Sequence, residues 1–449
     1  MTTNKATRSA TIFLFFFLGN NHAKTTNTPQ QATWTFMVYM AAANDLEIFA
    51  PRNMRQMQQV GSNERINIIA QHNTHEHNKH SSKTYFIEKG NKRLIKENPH
   101  ACDSGESKTL TDFCRDTIAA YPADHYALIL WNHGTGPIEP VMRSHLSSLD
   151  LFSLSYSHDL FDHKSISFSP FPHYKTSRTQ QIYKGICFND ISGNFFTEQQ
   201  LCNTLKTVCT TSLKGKKFDI IGFDACLMSM IEIATAIQPY ATHMVASQDV
   251  ERGTGWDYYY ALYPFMTTTI TPAHLGAHLV HAYAKAYKKT SDYTQTCLNL
   301  ENIHLLTENV SRVSTLLQNL LKNQEDKKAR LAVKLSRNKH LCTHFDEPEF
   351  IDLYHFYMNV SLNIEQITCE PQNPLNQTIQ ELRVELTRGK QLIKSSVLEN
   401  KAGSTYPNAH GISIYFPEHT IHSSYRRCAF TEHSSWLPFL KTYLSAARK

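Results

Sequence analysis

The stretch Phe218-Asp219-Ile220-Ile221-Gly222-Phe223-Asp224-Ala225-Cys226-Leu227-Met228 decides the fold. Ile220, Ile221 and Phe223 form a short apolar run of strand length. Beyond it Leu227, Met230, Ile231, Ile233, Ala234 and Ile237 recur near helical spacing as far as Pro239. A strand feeding a helix leaves Cys226 at the strand's carboxyl end. In an open parallel sheet, side chains at that edge face the crevice where ligands bind. A helix starting just after the thiol is also expected to favour its thiolate, through unpaired N–H groups and the helix dipole. The competing role is that of a small buried apolar side chain, and only a partner base overturns it.

The partner lies in Tyr126-Ala127-Leu128-Ile129-Leu130-Trp131-Asn132-His133-Gly134-Thr135-Gly136, a second apolar strand that ends on a titratable group followed by glycines. If the two strands are neighbours in one parallel sheet, imidazole and thiol reach the same edge, as a Cys–His mechanism requires. Gly134 and Gly136 allow the backbone to approach a substrate closely and aim an N–H at a developing oxyanion.

Four blocks carry a family resemblance: Trp131-Asn132-His133-Gly134, Asp224-Ala225-Cys226-Leu227-Met228, the opening run from Trp34 to Leu46, and Lys184-Gly185-Ile186-Cys187-Phe188-Asn189-Asp190. In this order and spacing they resemble the clostripain family of cysteine peptidases. The similarity runs from about Trp34 to Tyr258 and returns at His410–Pro417. It implies a caspase-like fold, an α/β architecture with a mostly parallel sheet and helices on both faces. It also implies endopeptidase activity on peptide or protein substrates, with Cys226 as nucleophile, His133 as acid–base, and the N–H groups of Gly134 and Cys226 around the oxyanion. No third residue is assigned.

The family prefers lysine or arginine on the acyl side of the scissile bond, and a buried cation needs an acidic partner. Asp224 matches the family motif and is a candidate pocket acid. A structural carboxylate accepting loop N–H bonds is an equal alternative for it. Asp249, Glu251 and Asp257 are further candidates. Thr254 stands where relatives often carry an acid or amide, which loosens the expected specificity. Calcium dependence occurs in the family, but no calcium loop is readable here, so calcium stays open as a cofactor.

Working outward, Lys5 and Arg8 precede an apolar run from Ile12 to Leu18, then small or polar residues to Ala23. This reads as a signal peptide over 1–23, followed by a flexible leader over 24–33, and it points to a secreted or periplasmic protein. An uncleaved membrane anchor is the alternative, and no stable membrane association is expected beyond this segment. Trp34 opens alternating strands and helices, expected at Thr35–Met40, Leu46–Val60, Ile66–Ala70, Thr84–Ile87 and Ser107–Ala120, within a peptidase core over 34–270. His72, His75, His77 and His80 fall between two of those strands, on what reads as a polar loop. Their spacing fits no metal site.

Residues 138–182 interrupt the family pattern with serines, Pro170, Pro172 and no sustained period, which reads as a surface insertion. Clostripain-like enzymes mature by cleavage between the histidine and cysteine blocks, so the resemblance makes Lys175, Arg178 and Lys184 candidate processing sites. An inert insertion with incidental basic residues is the equal alternative. Thr197 with Gln200 reads as a helix cap. Residues 271–449 read as a mainly helical subdomain, with strands at Ser396–Glu399 and Gly411–Phe416 returning to the sheet.

The chain has 449 residues, enough for a large core, and a net charge of +6 spread without a basic stripe, so no nucleic-acid partner is indicated. Its ten cysteines are isolated singles, which excludes a C-x-x-C zinc or redox pair. A monomer is expected. Two other function classes stay open: a caspase-like peptide- or partner-binding protein without activity, and a secreted thiol- and histidine-rich metal binder.

Overall fold

Alternation along one strand sorts the core into two layers. In β1 (Ala32–Ala41), Met37, Tyr39 and Ala41 enter one core, while Trp34, Phe36, Val38 and Met40 enter the other. That is the pattern of a strand buried on both faces. The computed structural model describes residues 1, 31–76, 79–98, 102–139, 185–322, 327–365, 367 and 375–447. The signal segment after Met1, residues 140–182 of the insertion with Lys175 and Arg178, and Lys184 beyond it lie outside the described residues, while Ile138, expected to open a surface insertion, is buried in the core.

After a 3-10 turn over Asp45–Phe49, α1 (Ala50–Val60) carries Pro51 in its first turn, where a missing N–H costs nothing. β2 (Ile66–Glu76) pairs parallel with β1, and β3 (Lys79–Glu88) and β4 (Asn91–Asn98) follow it antiparallel. α2 (Ser107–Ala120) leads to β5 (Ala123–Trp131), parallel to β1 on its other side. α3 (Glu198–Thr211) starts in a full capping box, with Gln200 N–H on Thr197 Oγ1 and Thr197 N–H on Gln200 Oε1. β6 (Phe218–Asp224), α4 (Ile231–Ile237) and β7 (Ala241–Ala246) come next, and both strands are parallel to the histidine strand.

α5 (Tyr258–Leu262) and α6 (Pro272–Ala286) precede β8 (Thr294–Asn299), which turns antiparallel to β7. The remainder is α7 (Ile303–Lys322), α8 (Lys327–Arg337), β9 (Phe350–Asp352), α9 (Leu353–Ile364), α10 (Leu375–Ser396), β10 (Val397–Ala402), β11 (Ser413–Tyr415), α11 (Ala429–His433) and α12 (Trp436–Ala447). The main sheet has nine strands in the order β10-β8-β7-β6-β5-β1-β2-β3-β4, parallel at its centre and antiparallel at both flanks. Among the described residues no helix is long and apolar enough to cross a membrane.

Four expectations need correction. His72 and His75 lie in β2 and His80 in β3, with His75 opposite His80, because polar residues suffice on a flanking antiparallel pair. The strand expected at Thr84–Ile87 is the end of a longer one, and β4 was not foreseen. The helix after Cys226 begins only at Ile231. Residues between them instead bond to the exit of β7, with Leu227 N–H on the Asp249 carbonyl (3.1 Å) and Ser229 N–H on the Ser247 carbonyl (2.8 Å). The thiol therefore has no helix N-terminus beneath it. β10 does join the main sheet, but β11 pairs with β9 in a separate two-stranded sheet.

That small sheet braces the nucleophile loop. Ser413 N–H donates to the Ser229 carbonyl (2.9 Å), and Ser229 Oγ donates to the Gly411 carbonyl (2.7 Å). Behind it, α7 packs on α10 and α12 through Val310, Val313, Leu317, Leu320, Leu382 and Leu386, all fully buried or nearly so.

Candidate active site

Register brings the two strand ends together. Trp131 pairs with Asp224 across β5 and β6, and Asn132 N–H extends the ladder to the Asp224 carbonyl at 3.2 Å. His133 and Cys226 each follow two residues beyond that last pair, on adjacent strands running the same way. Both are buried, at 4% and 7% exposure. At Gly134 the loops touch so closely that a Cβ would lie 2.3 Å from the Cys226 carbonyl oxygen. Glycine is required there for contact between the two loops.

Leu227, directly after the thiol, has φ of 63°. A branched side chain in the left-handed region is held against local preference, and such strain gathers where a side chain must be presented at a turn. Glu251 N–H points at Cys226 Sγ, 3.3 Å away. On the histidine side, Asn132 Nδ2 donates to the Ala41 carbonyl (2.5 Å) and its Oδ1 accepts Phe188 N–H (2.8 Å). Asn44 Nδ2 also reaches Ala41 and Phe188 carbonyls, at 2.9 and 2.8 Å. Two asparagines thus knot the loops after β1 and β5 to residues 185–196. His133 Nε2 lies 2.8 Å from Asp45 Oδ1.

Beside the thiol is a narrow recess of about 10 Å³, room for about one water, lined by Leu46, Asn132, Asp224, Cys226, Glu251, Arg252 and Gly255 among others. Asp224 accepts Tyr258 Oη (2.8 Å) and Trp256 N–H (3.1 Å). Burial pushes its carboxyl above the usual range, and those two bonds oppose the shift. Glu251 is raised further, first by burial and then by the Asp224 charge beside it; Trp256 Nε1 and Gln295 Nε2 work the other way. Each of two buried carboxyls in contact makes ionisation of the other harder. Arg252 lies on the same loop, paired to Asp292, while Thr254 Oγ1 is 2.7 Å from Tyr287 Oη.

The structure brings Cys226, His133, Gly134 and Asp224 together. It places Asp249 and Asp257 in other surroundings: Asp249 accepts Asp346 N–H (3.0 Å), and Asp257 caps α5 through Tyr260 N–H (3.1 Å). Asp257 is thus tied to a helix start and does not line the recess. Sequence reasoning missed Asp45, although the carboxyl end of β1, next to β5, is where a third group at the same edge belongs. It also ranked Glu251 with the other acids, because nothing in the spacing shows which acid of the Asp249–Asp257 loop points inward. Among the described residues, no three His, Cys, Asp or Glu side chains converge as a metal site requires. The nine described cysteines are free thiols.

A mostly parallel sheet that presents a thiol and an imidazole at one carboxyl edge is the architecture of a caspase-like cysteine peptidase. The chain belongs to the clostripain family, whose model matches residues 38–144 and 162–443. Among solved structures it is similar to a secreted C11 cysteine protease from Bacteroides thetaiotaomicron in complex with an irreversible peptide inhibitor. The TM-score is 0.59 at 16% identity, covering 91% of this chain and 100% of the relative. An inactive zymogen C11 protease from Parabacteroides distasonis gives 0.57 at 16% identity, covering 90% and 98%. No curated protein matches. The chain is a cysteine-type peptidase, and its substrates are peptides or proteins.

Proposed function

We propose that the protein is an exported endopeptidase in which Cys226 and His133 hydrolyse peptide bonds after lysine or arginine. The observation that carries this is the β5–β6 register, which sets imidazole and thiol two residues beyond the same paired position. His133 takes the thiol proton as Sγ attacks the carbonyl carbon, and the N–H groups of Gly134 and Cys226 hold the oxyanion. Collapse breaks the C–N bond, and the imidazolium gives its proton to the leaving amine. Water then attacks the thioester, returns a proton through His133 and expels the thiolate with the free acid.

The negative charge of the Asp224–Glu251 pair favours a cationic side chain at the mouth of the recess, which has to widen to admit it, since burying an unpaired cation is costly. Thr254 contributes no second charge, so tolerance of neutral residues is part of the proposal. Maturation by cleavage between residues 138 and 184, at Lys175, Arg178 or Lys184, is supported by the zymogen state of the Parabacteroides relative. Export is supported by the basic, then apolar, start of the chain and by the secreted relative from Bacteroides.

The test compares intact mass and peptide turnover of the wild type with those of Cys226→Ala, on substrates ending in lysine, arginine or a neutral residue, with calcium and with a chelator. Self-cleavage and basic-residue turnover, both lost in the variant, are expected. If both proteins stay whole and neither cuts under any condition, the molecule is a peptide-binding relative without activity.

A further inference from the structure

We infer that Asp45 is the positioning residue of the reaction, fixing which nitrogen of His133 serves the thiol. The inference rests on the Cys226–His133 reading above. Asp45 Oδ1 lies 2.8 Å from His133 Nε2, and the histidine is almost wholly buried while the carboxylate keeps 39% of its side chain exposed.

The backbone that carries Asp45 is fixed on both sides. Its neighbour Asn44 caps the 3-10 turn by accepting Leu46 N–H (3.0 Å) and ties itself to Ala41 and Phe188. Asp190 N–H holds the Ala43 carbonyl at 2.9 Å. Leu46, the next residue, lines the recess beside Cys226. The carboxylate is therefore delivered to the imidazole from a braced turn.

The two nitrogens of an imidazole diverge, so one partner cannot serve both. With Nε2–H donated to Asp45, the neutral ring carries its lone pair on Nδ1, and proton exchange with Cys226 falls to that atom. When the ring takes the thiol proton, the same carboxylate stabilises the imidazolium and keeps it from turning over. No proton passes to Asp45 in this scheme. Its effect appears in the chemical step and leaves substrate binding alone.

Asp45→Asn and Asp45→Glu test this beside Cys226→Ala. Asp45→Asn is expected to lower kcat roughly tenfold to a hundredfold with KM within about twofold, since acid–base positioning acts on the transition state. It should slow alkylation of Cys226 by iodoacetamide, read by intact mass, and leave the thermal midpoint in place. Asp45→Glu should recover much of the loss. Should Cys226→Ala be inactive while Asp45→Asn turns over and alkylates normally, Asp45 is only a turn residue and this inference falls alone. A raised KM at unchanged kcat would make it a substrate contact instead. Turnover surviving in Cys226→Ala overturns the dyad and, with it, the role of Asp45.

Discussion

The crevice at the carboxyl ends of β5 and β6 and the helical layer of α7, α9, α10 and α12 are built on opposite terms. The crevice buries a histidine, a thiol, two carboxyls in contact and a leucine at φ 63°, gathered from three separate loops. The helical layer buries leucines, valines and a ring cluster in which Trp436 meets Phe356, Phe416 and Phe439 edge-on or tilted at 4.9–6.1 Å. Desolvated charge and left-handed backbone are costly, whereas packed apolar side chains are favourable. The second region stabilises what the first requires.

The contrast breaks most directly at single residues. Cys226→Ala should cut turnover roughly ten-thousandfold or more, as removal of a nucleophile does, while the thermal midpoint holds or rises. Leu386→Ala should do the reverse. Leu386 is fully buried on α10, and the cavity left behind should lower stability by roughly 3 kcal/mol with kcat per folded molecule unchanged. Urea unfolding and active-site titration on both variants measure this. Comparable stability losses in the two would erase the distinction between the regions.

The acid pair gives a smaller effect that sharpens the comparison within the crevice. Asp224→Asn should reduce the preference for lysine or arginine over a neutral residue roughly tenfold to a hundredfold, the range expected when a charged partner is neutralised. The wild-type preference should also depend on pH. Both carboxyls are raised by burial, so they protonate above the ordinary carboxylate range, and basic-residue selectivity should fall as pH drops below neutral. Profiles of kcat/KM for a lysine and a neutral substrate check this. Parallel profiles would move the charge discrimination away from Asp224 and Glu251.

How much of this could be read beforehand follows the same division. The strands of Thr35–Met40, Tyr126–Trp131 and Phe218–Phe223 were legible because doubly buried strands are continuous apolar runs. The α2 boundaries and the Thr197 cap were legible from local periodicity and capping chemistry. The turn after Cys226 was not, because Leu227, Met230 and Ile233 keep helical spacing while tertiary bonds to Ser247 and Asp249 hold the chain out of a helix. Asp45 and Glu251 were hidden for a related reason. Their meaning comes from loops 88 and 25 residues away in sequence, and spacing carries no trace of that.

Glu232 sits where the two regions join, and it offers the finest test. It lies in the first turn of α4 with no exposure, and its Oε1 accepts Tyr415 N–H and Tyr425 Oη, both at 2.9 Å. Among the described residues its other oxygen has no hydrogen bond. Burial pushes its carboxyl up to about 7 against those two bonds. A folded value above the unfolded one means that the folded protein keeps a proton the unfolded chain has released. The stabilising contribution is therefore complete below the ordinary value of 4.5 and is lost as pH rises to about 7. Glu232→Gln keeps an oxygen to accept both bonds and removes the titration. Its stability should be flatter between pH 5 and pH 8, the difference from wild type shifting in its favour by about 2–3 kcal/mol. Urea midpoints at the two pH values read the slope, which is independent of any fixed loss from the amide's unmatched N–H. If the slopes coincide, the pH dependence belongs to other carboxyls raised by burial, Glu349 and the Asp224–Glu251 pair first among them.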